Sequence, residues 1–225
     1  MHGLTERPVR SFVRREGRMT PAQKRALEKL WPIYGIDADS DLAGKLPAPK
    51  NEGVTLEIGF GDGEALLALA KQSPQGRFIG IDPHRPGAGR LLLQLEREKV
   101  ENVRLIIGDA AEIVPSIEPK SLRQILVLFP DPWPKKRHHK RRLLTPEFLR
   151  ILSEKLQPQG GLHMATDWHE YAEEILNALD ETPNLLNDAG RLAFCARPGW
   201  RPVTKYEQRG LRLGHKVFDI AAKRI

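Results

Sequence analysis

The residues in this sequence best equipped for chemistry stand at the ends of its apolar runs. Glu57-Ile58-Gly59-Phe60-Gly61-Asp62-Gly63-Glu64 puts three glycines at alternate positions directly after the run Val54 to Leu56. Glycines so placed remove side chains where backbone must come close to a ligand. The spacing G-x-G-x-G differs from the G-x-G-x-x-G of dinucleotide binding, and Asp62 would sit badly beside a pyrophosphate. A ligand without phosphate, carrying an ammonium and a sulfonium, tolerates both. Acids recur where later runs stop: Asp82 closes GRFIGID and Asp109 follows NVRLIIG. Asp82 lies about 20 residues past the glycines, where a carboxylate can accept hydrogen bonds from both ribose hydroxyls of a nicotinamide or an adenosylmethionine cofactor. Asp109, with Ala110 beside it, is placed to receive an adenine amino group or its surroundings. Each acid taken alone reads equally as a helix cap. With Glu57 and Asp62 at the end of the first run, four acids stand at run ends, and that repetition favours a site.

Asp131 belongs to the most distinctive stretch, FPDPWP (residues 129–134) followed by KKRHHKRR (residues 135–142). Pro130, Pro132 and Pro134 stiffen the backbone and delay any helix, so that Asp131 and Trp133 sit in a pre-shaped loop. Every residue from 135 to 142 is Lys, Arg or His, which answers phosphate better than any neutral small molecule. Such runs are commonly solvated faces; adjacency to the cofactor acids favours substrate binding through Lys135, Lys136, Arg137, Lys140, Arg141 and Arg142. A metal at His138 and His139 is not expected, because their cationic neighbours would repel the ion.

The elements that must position these groups are legible as an alternation. VTLEIGF, RFIGID, NVRLIIG and LRQILVLF are short, apolar and bounded by Gly, Pro or Asp, as strands buried on both faces are. WHEYAEEILNALD repeats apolar side chains at Trp168, Tyr171, Ala172, Ile175, Leu176 and Leu179, the spacing of a helix whose stripe belongs to the core. TPEFLRILSEKL does the same with Phe148, Leu149, Leu152 and Leu156 after a Thr cap and Pro at the first position, and GGLHMAT follows as a strand. PAQKRALEKLW reads as an early helix and residues 32–53 as a connector. After Asp180 the pattern loosens until HKVFDIAAK, a last strand. Strands alternating with helices predict an α/β, doubly wound, mostly parallel Rossmann-like sheet with helices on both faces, whose ligand site lies beyond the carboxyl ends of the strands. We divide the chain into a basic N-terminal arm, helix and connector (1–52) and a catalytic domain (53–225).

Composition limits the alternatives. With 225 residues, 40% of them apolar, the chain can bury a core of one large domain. The single cysteine, Cys195, rules out an internal disulfide framework and a multi-thiolate zinc site. No apolar stretch approaches the ~18 residues that span a bilayer, and the arginine-rich start lacks the apolar block of a secretory signal. A cytoplasmic protein with no membrane partner is expected. The net charge of +7 is uneven: residues 1–30 carry eight Lys/Arg against three acids, 135–142 six against none, and 196–225 eight against two. Basic windows on an otherwise acidic body suggest a shaped nucleic-acid footprint if the fold brings them together.

EIGFGDGE, GIDPHRPG, GDA, FPDPWPKKRHHKRR, TDWHEYAE and TKYEQRG, in this order, closely resemble the bacterial tRNA (guanine-N7-)-methyltransferase family over roughly Glu57 to Gly210. The proline and basic run is highly specific to that family, whereas the glycine loop is shared by class I methyltransferases generally. Asp82 is a departure, since many relatives carry Glu there; the shorter acid still reaches a ribose. The resemblance implies transfer of methyl from S-adenosylmethionine to N7 of guanosine 46 in the variable loop of tRNA. By motif it implies that Glu57, Gly59, Gly61, Asp82, Asp109 and Asp131 hold the cofactor, that Asp131 is catalytic, and that Lys135, Asp167, Thr204, Lys205, Tyr206 and Glu207 hold the substrate. DNA is not an expected partner, and both a monomer and a homodimer are compatible with the sequence.

The residues are consistent with that chemistry. Guanine N7 is a lone-pair acceptor without a proton, so no general base is needed. A carboxylate near a base that becomes cationic has an orienting and electrostatic role, which fits Asp131 or Asp167. Trp133 and Tyr206 are candidates to stack on the splayed-out base, Trp133 reading equally as a loop residue packed under the sheet edge. Without the family match, residues 204–207 read as an ordinary polar loop. Two rival readings remain open: a nicotinamide-dependent oxidoreductase on a similar sheet, and a non-catalytic RNA-binding subunit.

Overall fold

The computed structural model describes residues 17–38 and 53–225, so most of the basic arm and of the connector lies outside the described residues. Eight strands form one sheet in the order β1-β4-β3-β2-β5-β6-β8-β7. They are β1 (Gly35–Ile36), β2 (Val54–Ile58), β3 (Arg77–Ile81), β4 (Val103–Ile106), β5 (Leu122–Leu128), β6 (Leu156–Thr166), β7 (Leu185–Asn187) and β8 (Phe218–Arg224). The helices are α1 (Pro21–Tyr34), α2 (Glu64–Gln72), α3 (Arg85–Glu98), α4 (Ala110–Ile113), α5 (Pro146–Lys155), α6 (His169–Asp180) and α7 (Lys205–Arg212). Strands β1 to β6 pair in parallel, and β8 lies antiparallel to both β6 and β7.

The apolar runs are strands with two buried faces because successive side chains point to opposite sides. In β5, Ile125 and Val127 join one core with Ile79, Ile81, Leu149, Leu152, Tyr171 and Ile175. Leu126 and Leu128 join the other, with Phe78, Leu105, Leu66, Leu91 and Leu92. Helices α5 and α6 cover the first face and α1, α2 and α3 the second, so the expected doubly wound sheet is observed.

Caps explain where the helices begin. Thr145 accepts the Phe148 amide at the start of α5, with Pro146 at the first position. Thr20 and Gln23 form a reciprocal capping box on α1. That helix continues past the expected Trp31 to Tyr34, with Pro32 inside it; the buried Tyr34 ring holds the last turn despite the bond Pro32 cannot make. Helix α6 buries Tyr171, Ala172, Ile175, Leu176 and Leu179 as its spacing predicts. Trp168 departs from that stripe: it is the residue before the helix, with extended backbone, and its side chain is exposed. β6 starts at Leu156, ahead of the expected GGLHMAT. The loose region after Asp180 holds β7 and α7, both too short to leave a periodic pattern.

Candidate functional site

At the centre of the sheet the strand order reverses between β2 and β5, and a cavity of about 920 Å³ opens beyond their carboxyl ends. This is where ligands bind in doubly wound sheets. Its walls include Gly59, Asp82, Asp109, Phe129 and Asp131, with Met19 contributed from the segment before α1.

The glycine loop has the backbone its composition calls for. Gly59, Gly61 and Gly63 all have positive φ, at 80°, 54° and 81°, a region that other residues enter at a cost. The positions differ in surroundings. A Cβ on Gly63 would fall 2.5 Å from Leu91, whereas one on Gly59 or Gly61 would meet nothing within 4 Å. Gly63 serves packing, and Gly59 leaves room on the cavity side.

Asp82 is buried and its carboxylate is already oriented: Oδ2 accepts the Gly61 amide and Oδ1 the His84 amide, both at 2.7 Å. Burial raises its pKa, the two amide bonds oppose the shift, and Asp131 adds a smaller rise. Asp109 combines a helix cap with a place on the cavity wall. It caps α4 by accepting the Ala111 amide at 3.0 Å and it lines the cavity. Glu57 does not line the cavity; it lies beneath it in β2, 2% exposed. Its Oε2 finds no hydrogen-bond partner among the described residues. Burial, with a smaller push from Asp82, takes its carboxyl up to about 8. Asp62 is turned outward into an exposed ion pair with Arg90.

The loop leaving β5 starts on a strained residue, Phe129 with φ 54°, and a second, Trp133, has φ 47°. Trp133 is buried: its ring meets His138 edge-on at 5.7 Å and carries the Arg141 guanidinium at 5.0 Å. It is therefore a packing residue and not a free stacking platform. Arg142 also departs from expectation as a phosphate contact. It is 4% exposed, donates from Nε to the Pro132 carbonyl at 2.8 Å, pairs with Glu174 and lies over the Tyr171 ring at 5.0 Å. A guanidinium ties the proline loop down from within. Lys135, Lys136, Arg137 and Lys140 remain exposed on or beside the 3-10 segment Lys136–Arg141, with Arg141 half-buried on Trp133. His139, Glu170 and Glu174 come close enough together to suggest a metal cluster. The Arg142 guanidinium already faces both carboxylates, so a cation is in place.

Residues 204–207 are not a polar loop. Thr204 caps α7 by accepting the Glu207 amide at 3.2 Å, and Lys205 to Glu207 form its first turn. The Lys205 amide and ammonium both bind Glu64, at 2.7 and 3.0 Å, which attaches α7 to the end of the glycine loop. The exposed Tyr206 ring packs 5.3 Å from Phe129. Burial, then Asp167 and Asp131, raise its phenol pKa, so the three groups share one neighbourhood. Asp167, just past β6, also meets His215 at 3.3 Å. Glu207 is the exception within its motif: it is 2% exposed and held by Arg201, not presented to a ligand.

Reading the sequence alone misses Arg201, Asp219, His163 and Glu64, whose burial or pairing depends on elements far apart in the chain. It also passes over Gly87, although the segment GIDPHRPG that contains it stands out. A Cβ there would collide with the Gly61 carbonyl, so Gly87 lets the start of α3 support the glycine loop.

A family model described as "Putative methyltransferase" matches residues 51–220. A tRNA (guanine-N(7)-)-methyltransferase of Alkalilimnicola ehrlichii is 49% identical over 223 residues, covering 96% of this chain and 92% of that protein. One from Methylococcus capsulatus is 47% identical over 225 residues, covering 100% and 97%. Among solved structures, a 30S ribosomal A1408 methyltransferase from an uncultured bacterium has a TM-score of 0.58 at 17% identity, covering 84% of this chain and 95% of that one. This last likeness is one of fold.

Proposed function

Because the chain belongs to the tRNA (guanine-N7-)-methyltransferase family, we propose that it transfers the methyl group of S-adenosylmethionine to N7 of guanosine 46 in the tRNA variable loop. The observation that carries this reading is the meeting of two chemistries at one place. The acid-lined cavity opens beside Asp131, and the aromatic and basic groups of the β5 exit and of α7 converge there.

The residues fit the cofactor. Beneath the cavity, Glu57 has a buried carboxylate oxygen with no hydrogen-bond partner among the described residues, which suits a cationic group above it, and the open side of Gly59 admits close approach. Asp82, fixed by two amides, keeps lone pairs for ribose hydroxyls, and Asp109 lines the same cavity for the adenine. When bound, S-adenosylmethionine supplies the methyl group as an electrophile on a sulfonium. The protein then has no proton to remove, since guanine N7 carries none. Asp131 and Asp167 accept hydrogen bonds from the guanine and oppose the positive charge that methylation leaves on it. Tyr206 offers its exposed ring to the base. Lys135, Lys136, Arg137, Lys140 and Arg141 hold phosphates.

We read residues 1–52 as an arm, helix and connector in front of the domain of residues 53–225. The part described, α1 and β1, is packed onto that domain's sheet. No described helix is long and apolar enough to cross a membrane; a cytoplasmic location suits a tRNA substrate. The nicotinamide reading has no support in the relatives, whose names are those of methyltransferases. Incubation of bulk unmodified tRNA with labelled S-adenosylmethionine, followed by nucleotide mapping, tests the proposal.

A further inference from the structure

Helix α7 is attached by charge where the longer helices are attached by apolar stripes. Only one of its eight residues, Glu207, is buried, so no apolar stripe fixes it to the core. What Glu207 meets is Arg201, the largest fully buried side chain in the described structure, with 0% exposure. The Arg201 guanidinium is shared between two carboxylates. Nη1 and Nη2 donate to Glu207 at 2.7 and 2.9 Å, while Nε and Nη2 donate to Asp219 of β8 at 2.8 and 3.1 Å. Asp219 is fixed in turn by His163 of β6, whose Nε2 lies 2.8 Å away, and Trp200 packs edge-on against that imidazole. At Asp219 burial favours the neutral acid, but the bonds from His163 and Arg201 outweigh it and hold the carboxyl below its usual range. The guanidinium also lies 5.8 Å from the centre of the Phe129 ring, against which Tyr206 packs.

We propose that Arg201 is a positioning residue for methyl transfer: it clamps Glu207 to the sheet through Asp219 and so sets where α7 presents Lys205 and Tyr206 to the RNA. A fork that donates to two carboxylates at once fixes orientation as well as distance, and a lysine cannot reproduce it. Because the clamp replaces an apolar contact, loosening it lets α7 shift about its first turn, where Lys205 still meets Glu64 and Tyr206 still meets Phe129, while the two cores, built from other residues, stay packed. Glu207 thereby acts through the helix it anchors, not by touching the substrate. The inference rests on the reading of α7 as the RNA-facing element.

The test uses the full chain with Arg201→Lys, and Glu207→Gln as the milder variant that keeps shape and one hydrogen-bonding edge. Three readouts are taken: hydrogen exchange of the α7 amides, affinity for S-adenosylhomocysteine, and KM and kcat on unmodified tRNA. Faster exchange confined to α7, unchanged S-adenosylhomocysteine affinity and a fall in kcat/KM of about 10- to 100-fold, partly restored in Glu207→Asp, are expected. Unaltered α7 exchange in Glu207→Gln, or a loss of S-adenosylhomocysteine affinity matching the loss on tRNA, would overturn the clamp. Failure of the unsubstituted protein to methylate guanine would instead overturn the proposed reaction, and hydrogen exchange would then decide the clamp by itself.

Discussion

The Tyr206 ring lies 5.3 Å from that of Phe129, so a helix near the end of the chain closes onto the strained exit of β5. Trp133, further along that exit, is buried under His138 and Arg141. Of the two aromatic candidates for the target base, only Tyr206 is presented. Tyr206→Ala is expected to weaken productive tRNA binding by about 1–3 kcal/mol, the worth of a base stacked on an aromatic ring, with Tyr206→Phe close to unsubstituted. Trp133→Ala is expected to lower the melting temperature. Steady-state kinetics and thermal unfolding separate the two; equal kinetic defects in Tyr206→Phe and Tyr206→Ala would assign the hydroxyl the role given to the ring.

Asp131 is placed to orient the base and stabilise charge. Asp131→Ala should fold normally and lose about 100- to 1,000-fold in kcat, the scale of a preorganised electrostatic contact. Turnover close to normal would remove it from the mechanism.

The basic run divides into outward and inward charges. Neutralising Lys135, Lys136 and Arg137 should flatten the dependence of log affinity on log salt by roughly 0.7 per lost phosphate contact on single-stranded RNA. Arg142→Ala should leave that slope alone and cost about 2 kcal/mol of stability, since a charged donor to Pro132 and a pair with Glu174 are lost. An unchanged slope in the triple variant would return the run to solvent.

Glu57 links the site to pH. Its folded carboxyl titrates at about 8 against an ordinary 4.5, chiefly through burial. A raised folded value means that the contribution to stability is complete below the unfolded value and lost as pH rises through the folded one. An ammonium held above Glu57 opposes this by favouring the carboxylate, so binding of S-adenosylhomocysteine, which keeps its ammonium though it lacks the sulfonium, should release a proton at pH 7. Calorimetry in buffers of different ionisation enthalpy measures it, and Glu57→Gln should abolish it. Binding heats independent of the buffer in the unsubstituted protein would contradict the assignment.

Those residues show which parts of the fold and site are readable from sequence. Strands β2 to β5 are legible as short apolar runs buried on both faces and helices α5 and α6 as periodic apolar stripes, and both signals are local. Asp82, Asp109 and the glycines are legible because strand ends are where this sheet places its ligand. The inward turn of Arg142 and the burial of Glu207 are not. A charged side chain looks the same in sequence whether it meets water or a buried partner held in place by another element of the fold. Helix α7 escapes notice for the related reason that a buried ion pair, not an apolar stripe, holds it.

Whether the protein is a guanine-N7 methyltransferase of tRNA is decided by incubating unmodified tRNA with it and methyl-labelled S-adenosylmethionine and locating the label in a nuclease digest. N7-methylguanosine is expected at one guanosine of the variable loop, and its formation is expected to slow by about 100- to 1,000-fold when Asp131→Ala replaces the unsubstituted protein. Label on another atom or base, or distributed over many guanosines, would contradict the proposed reaction.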